Sequence, residues 1–257
     1  MIAFMSDWGL NSYYVGIAKS VMYTISPSCV VVDLIHTVTP FNVREAAHIV
    51  ERVFEDLPKE SILLCVVDPG VGTDRKAIML KVNDRYCVGP DNGTFTRVLD
   101  SDFTCRIIEN PKYMYKYPPS NTFHGRDVFA AAAAYLDKGV PFEEFGRELK
   151  DVVKLNFDLP SISKGKIETE VAFVDGFGNV ETIIKERDLK NAGIGDVFEV
   201  NGMKTFLAEK YAQVQNALVA HFDSSGYLEI SLNQGNASNF LNVMSGDRIV
   251  VKSTKTR

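Results

Sequence analysis

Five short stretches concentrate side chains able to bind or transform a polar ligand. Ser6-Asp7-Trp8-Gly9-Leu10-Asn11 follows a short apolar run. Asp33-Leu34-Ile35-His36 continues through Thr37, Val38 and Thr39 to Pro40-Phe41. Asp68-Pro69-Gly70-Val71-Gly72-Thr73-Asp74-Arg75 follows a second apolar run. Asn121-Thr122-Phe123-His124-Gly125-Arg126-Asp127 precedes a helical pattern, and Asp175-Gly176-Phe177-Gly178-Asn179 separates two strand patterns. Carboxylates accept hydrogen bonds and can hold or deprotonate water, while guanidinium and imidazole groups donate or orient. Each stretch also has a plain structural reading. Asp7 and Asp127 could cap helices, Asp68-Pro-Gly-Val-Gly could be a turn, and His36 and His124 could be satisfied structural histidines. The third stretch lacks the Lys-Ser/Thr of a phosphate loop and is not GxGxxG, so nucleotide-phosphate binding has little support. There is no HExxH, and His36, His48, His124 and His221 are scattered, so no metal site is expected. Residue types and spacing alone point to a polar ligand site built with carboxylates.

Positioning such loops requires a scaffold, and the first part of the chain alternates strand and helix patterns. Ile2 to Met5, Cys29 to Leu34 and Ser61 to Val67 are continuous apolar runs, with Ala77 to Val82 and Arg106 to Ile108 following. Continuous rather than alternating runs predict strands buried on both faces, hence a parallel sheet covered by helices. Helical spacing fits Tyr13 to Ile25, Val43 to Leu57 and about Asp127 to Asp137, where Gly139 and Pro141 supply the stop. In a parallel sheet, ligands bind outside the carboxyl ends of the strands, where the first three loops fall. The pattern changes near Leu159-Pro160-Ser161. Beyond it come short strands, including Lys166 to Val174, Ala217 to Phe222, Tyr227 to Leu232 and Arg248 to Val251. Asn201-Gly202 reads as a type I′ hairpin turn. Regular short strands predict a small antiparallel barrel or sandwich. Two domains are expected, 1–157 and 163–257.

Composition narrows the function classes. The chain has 257 residues with Lys plus Arg 28, Asp plus Glu 33 and a net charge of −5. Nucleic-acid binding is disfavoured, because such domains usually carry a basic stripe or a pI above ~9. The longest aliphatic run, Ile62 to Val67, is far short of the ~20 residues of a membrane span, and no signal peptide is expected. Cys29, Cys65, Cys87 and Cys105 form no CxxC and read as buried thiols of a cytoplasmic protein.

In order along the chain, these motifs resemble the S-adenosylmethionine (SAM) hydroxide adenosyltransferases, or SAM hydrolases, relatives of fluorinase and chlorinase. The matching residues are Ser6-Asp7-Trp8-Gly9, Tyr14-Val15-Gly16, Asp33 to His36 through Pro40, and Val67 to Thr73. They continue with Gly89-Pro90-Asp91-Asn92-Gly93, Thr122 to Asp127, Asp175 to Asn179, and Gly226-Tyr227-Leu228 through Asn236-Ala237. The resemblance implies an α/β N-terminal domain with a mainly parallel, helix-covered sheet and a C-terminal antiparallel β-barrel domain. It further implies a homotrimer, with SAM held between the first domain of one subunit and the second domain of its neighbour. The implied reaction is attack of water or hydroxide on ribose C5′, releasing adenosine and L-methionine. SAM is then the substrate and no cofactor is expected.

The family's Asp-Arg-His set maps onto Asp68, Arg75 and His124. A sulfonium leaves as a neutral thioether, so the difficulty lies in making and aligning the oxygen nucleophile. Asp68 would hold and help deprotonate water. Arg75 would keep it ionised, and the helix dipole after His124 would favour a neutral ring. By the same resemblance Asp7 takes the ribose diol, Phe41 walls the ribose and adenine pocket, and Asp175 pairs with the methionine amino group. Asn179 contacts adenine, Ser224 contacts methionine, and Phe177 packs beside adenine or fills the barrel. Fluorinases have Tyr at the position of Asp68 and Tyr-Ser at His124-Gly125, which disfavours halide chemistry here. Ser225 stands where fluorinases place an arginine. The alternatives to hydrolysis are a non-catalytic SAM or adenosine sensor and, further off, a SAM-dependent halogenase.

Overall fold

The computed structural model describes residues 1–157, 160–214 and 217–254. Leu159, within the compositional change noted above, lies outside the described residues. The chain divides into two compact units, Met1–Leu155 and Asn156–Arg257.

In the first unit, strands β1 (Ile2–Ser6), β2 (Val31–Ile35), β3 (Ile62–Val66), β4 (Ala77–Val82), β5 (Arg85–Pro90) and β6 (Thr104–Ile107) form one sheet, ordered β2-β1-β3-β5-β4-β6. The pairs β1–β2, β1–β3 and β3–β5 are parallel. At the far edge β4 runs antiparallel to both β5 and β6. The sheet is thus mainly parallel, as expected, with β5 and this antiparallel edge added. Its helices are α1 (Tyr14–Ile25), α2 (Val43–Phe54) and α3 (Ala131–Asp137). Ala18, Val21, Met22 and Ile25 bury one stripe of α1 at helical spacing. Ile2, Phe4, Ile62, Leu64 and Val66 share a core with α1 and α3. The alternate residues Ala3, Met5, Leu63 and Cys65 are also fully buried, so the central strands are covered on both faces. Ala131 to Ala134 are wholly buried, since only small side chains fit where α3 presses on the sheet. At the start of α2 the Asn42 side chain accepts from the Glu45 N–H at 3.0 Å, and a Glu45 oxygen accepts from Thr39 N–H at 2.9 Å. This capping fixes the end of the loop carrying Phe41.

The second unit contains β7 (Ser161–Ser163), β8 (Lys166–Val174), β9 (Val180–Lys185), α4 (Glu186–Ala192), β10 (Val197–Val200), β11 (Met203–Leu207), β12 (Leu218–Phe222), β13 (Tyr227–Leu232), α5 (Ala237–Leu241) and β14 (Arg248–Ser253). The order β14-β10-β11-β12-β13-β9-β8 closes on itself through β14–β8, and β7 adds to β8. This is a closed seven-strand barrel, filled by Ile167, Val171, Phe198, Leu218, Leu228 and Ile249 among others. Asn201 and Gly202 have φ of 49° and 83° and join β10 to β11, as a type I′ turn requires. The barrel is mixed rather than purely antiparallel, because β11 and β12 pair in parallel. Parallel neighbours need a crossover between β11 and β12 rather than a hairpin turn.

Candidate active site

The loops leaving β1, β2 and β3 share one edge of the sheet because these strands are adjacent and parallel. Asp68 follows β3 and is gripped by Arg75 from the same loop. Arg75 Nε donates to Asp68 Oδ1 at 2.9 Å, and Nη2 donates to Oδ2 at 2.5 Å. Only 7% of the Asp68 side chain and 10% of the Arg75 side chain are exposed, so this is a buried fork-on-carboxylate pair. Arg75 also lies over the Phe129 ring, 5.0 Å from its centroid.

Arg75 Nη2 also reaches His124 Nδ1 at 2.8 Å. A guanidinium can only donate, so Nδ1 is the acceptor, and the neutral ring carries its proton on Nε2. Burial lowers the His124 pKa below its ordinary value, with the Arg75 charge second. The neutral ring agrees with the expectation, but its causes are burial and a cation. Gly72 makes this meeting possible. Its φ is +77°, and a Cβ there would lie 2.3 Å from the Asn121 carbonyl oxygen. The two loops therefore touch backbone to backbone.

His124 leads into a π-helical turn, Gly125–Ala130, that continues as α3. Asp127 sits inside this turn and does not cap it. Its fully buried carboxylate accepts from Ser120 N–H at 2.9 Å and pairs with Arg126 at 2.7 Å. Gly125 packs under Trp8, where a Cβ would lie 2.4 Å from the indole.

Asp7 does not cap α1 either. One of its oxygens accepts from Phe41 N–H at 2.9 Å. Burial raises the Asp7 pKa, and the nearby Asp68 charge adds to the rise. Phe41 holds φ +67°, a region bulky side chains avoid, and the residue is 69% exposed. Such a conformation at the carboxyl end of the strands is a functional hint. The structure thus joins Asp68, Arg75 and His124 in one hydrogen-bonded set, ties Phe41 to Asp7, and puts Asp7 within electrostatic reach of Asp68. His36 is satisfied by Ser6 and Asp33. Trp8, Tyr14 and Phe123, given no role of their own from the sequence, meet edge-on or tilted with centroids 5.0–6.0 Å apart.

In the second unit, Asp175 closes the β8–β9 turn. Its Oδ1 accepts from the N–H groups of Phe177 and Asn179 at 2.9 and 2.8 Å, and Oδ2 accepts from Asn179 Nδ2 at 2.9 Å. Asn179 is buried while Phe177 is 81% exposed. Both line a cleft of about 440 Å³ with Tyr211, Leu232, Asn233, Gln234 and Gly235. Ser224 lies exposed in the β12–β13 turn. Among the described residues no group of three or more His, Cys, Asp or Glu could hold a metal ion. No helix among them is long and apolar enough to cross a membrane.

Residues 2–146 match the SAM hydroxide adenosyltransferase N-terminal domain, and residues 169–250 match the C-terminal domain. The chain belongs to the SAM hydroxide adenosyltransferase family. An (R)-S-adenosyl-L-methionine hydrolase from Thermus thermophilus is 37% identical over 95% of this chain and 96% of its own length. One of the same name from Methanocaldococcus jannaschii is 32% identical over 98% and 95%. A fluorinase from an Actinoplanes species is more distant, 27% identical over 98% and 97%. The crystal structure of an uncharacterized conserved protein from Thermotoga maritima matches with a TM-score of 0.90 and 43% identity, covering 98% of this chain and 100% of that one.

Proposed function

We propose that this family member hydrolyses S-adenosyl-L-methionine to adenosine and L-methionine. The observation that carries the reading is the buried Asp68-Arg75-His124 set. A water oxygen forms the new bond to ribose C5′ while the C5′–S bond breaks. The bonding pair leaves with sulfur, which becomes the neutral thioether of methionine. One water proton must be taken up. Arg75 has no lone pair to offer, and His124 Nδ1 already accepts from Arg75. Asp68 keeps lone pairs beyond those facing Arg75 and is the acceptor in this reading. The His124 Nε2–H then orients the water, and alignment with the C5′–S bond supplies the entropic part of the acceleration.

Asp7 takes the two ribose hydroxyls and Phe41 walls the nucleoside. Asn179 and Phe177 hold adenine, Asp175 the methionine amino group, and Ser224 the rest of methionine. These contacts are assigned from the family resemblance, and the fixed Asp175-Asn179 turn supports them. The active form is read as a homotrimer, in which the second unit of one subunit completes the site of another. The reaction consumes only SAM and water, without a cofactor. A cytoplasmic setting is supported by four free, buried cysteines.

Incubation with SAM in heavy-oxygen water tests the proposal. Adenosine labelled at its 5′ oxygen is the expected product, and unlabelled or absent adenosine refutes it. Binding without turnover would indicate a sensor, and chloride or fluoride dependence a halogenase. Since the relatives are named for the (R) form, resolved sulfonium epimers belong in the assay.

A further inference from the structure

Ser6, His36, Asp33 and Lys19 form a chain of hydrogen bonds whose direction is set by their chemistry. Lys19 Nζ can only donate, and it meets Asp33 Oδ2 at 2.9 Å. Asp33 Oδ1 lies 3.2 Å from His36 Nε2, so Nε2 carries a proton. In the neutral ring Nδ1 is then an acceptor, and the Ser6 hydroxyl donates to it at 2.8 Å. The Ser6 oxygen in turn accepts from Trp8 N–H at 3.4 Å. The His36 carbonyl also accepts from Gly9 N–H at 2.7 Å. The residue after β2 therefore holds the end of β1 at Ser6 and the following segment at Gly9, on both sides of Asp7, and Ser6 in turn holds Trp8. Ser6 is fully buried and His36 is 5% exposed, with the Phe4 ring edge-on at 4.7 Å.

Plain stability does not call for such a chain. Buried polar groups cost free energy unless satisfied, and apolar replacements of similar shape are often neutral. Asp7 does need a brace. Burial works against its carboxylate, which would relax toward water if its backbone were free. We propose that His36, oriented by Asp33 and acting through Ser6, is a positioning residue that sets the Asp7 carboxylate against the ribose hydroxyls. The inference rests on the ribose role proposed for Asp7.

Calorimetric dissociation constants of adenosine and 2′-deoxyadenosine test it in the full chain and in the variants Asp7→Asn, Ser6→Ala and Asp33→Asn. The last two remove little volume, so the test survives if His36 variants fail to fold. In Asp7→Asn the preference for adenosine over the deoxynucleoside collapses. In Ser6→Ala and Asp33→Asn it falls roughly three- to tenfold, about the worth of one hydrogen bond, while 2′-deoxyadenosine binds as before. An unchanged preference in these two, with collapse in Asp7→Asn, overturns the positioning role alone. Equal weakening of both nucleosides overturns it in favour of a structural role. An unchanged preference in Asp7→Asn overturns the ribose reading of Asp7 and the positioning role with it.

Discussion

Arg75→Lys separates charge from geometry at the centre of the site. The lysine ammonium falls one bond short of the Nη2 position, which makes the 2.5 Å contact to Asp68 and the 2.8 Å contact to His124. One contact to Asp68 survives, from an ammonium near the present Cζ position. The loss is one charge-assisted bond to the carboxylate and the Arg75 donor at His124 Nδ1. Hydrogen bonds to charged groups contribute about 1.5–3 kcal/mol each, and this pair is too buried for solvent to replace them. Folding is therefore expected to weaken by about 2–4 kcal/mol, with a thermal midpoint lower by roughly 5–10 °C. Turnover should suffer more, because Asp68 and His124 lose their common reference point. A fall in kcat of about 10²–10³ is expected, with KM within about twofold since Arg75 is assigned no contact to SAM. Adenosine release followed by chromatography, together with thermal unfolding, measures both. A kcat within tenfold of the native enzyme, at an unchanged midpoint, would show that a positive charge suffices and would refute the reasoning from fork geometry.

The acid limb of kcat/KM is expected below pH 6.5, because the His124 pKa is lowered from that ordinary value. The same shift stabilises the fold above the unfolded value near 6.5 and is lost as pH falls through the folded one; a limb at or above 6.5 contradicts this. Gly72→Ala should cost about 2 kcal/mol or more, since its Cβ would meet the Asn121 carbonyl at 2.3 Å, and should separate Arg75 from His124. Unfolding midpoint and kcat should fall together, and native values for both would refute the close-approach account. Phe41→Asn keeps the N–H that serves Asp7 and suits the left-handed backbone better. Stability should hold or rise by about 1 kcal/mol, while adenosine binding weakens roughly tenfold from lost stacking; unchanged affinity removes Phe41 from the pocket.

Much of the α/β unit was legible because its central strands are buried on both faces and leave unbroken apolar runs. That signal is strongest in β1 and β3, where every residue is buried, and it placed the Asp7 and Asp68 loops together. It weakens at β2, an edge strand with exposed Val32 and Asp33. It does not reveal the direction of β4, because apolar residues buried in a sheet interior look alike in parallel and antiparallel pairs. In the barrel, alternation and the Asn201-Gly202 turn announced hairpins. A crossover such as the one between β11 and β12 has no comparable turn signature.

The chemistry of the site was legible as residue types but not as protonation states. A neutral His124 was expected from the helix that follows it. The structure assigns that state to burial and to Arg75, a partner 49 positions away in sequence. His36 shows the same division. Its neighbourhood to Asp33 is local, but the Ser6 hydroxyl that completes the chain comes from another strand. Each histidine was a candidate for either function or plain packing, and each is satisfied by contacts across elements. What separates them is the partner at Nδ1. His124 accepts there from a cation that also holds the proposed base. His36 accepts from a serine that holds the backbone beside a ribose-binding carboxylate in the proposed assignment. In that assignment the first arrangement acts on the reacting water and should govern kcat. The second acts on substrate placement and should appear in nucleoside selectivity. Both effects are set by tertiary contacts that no local spacing encodes.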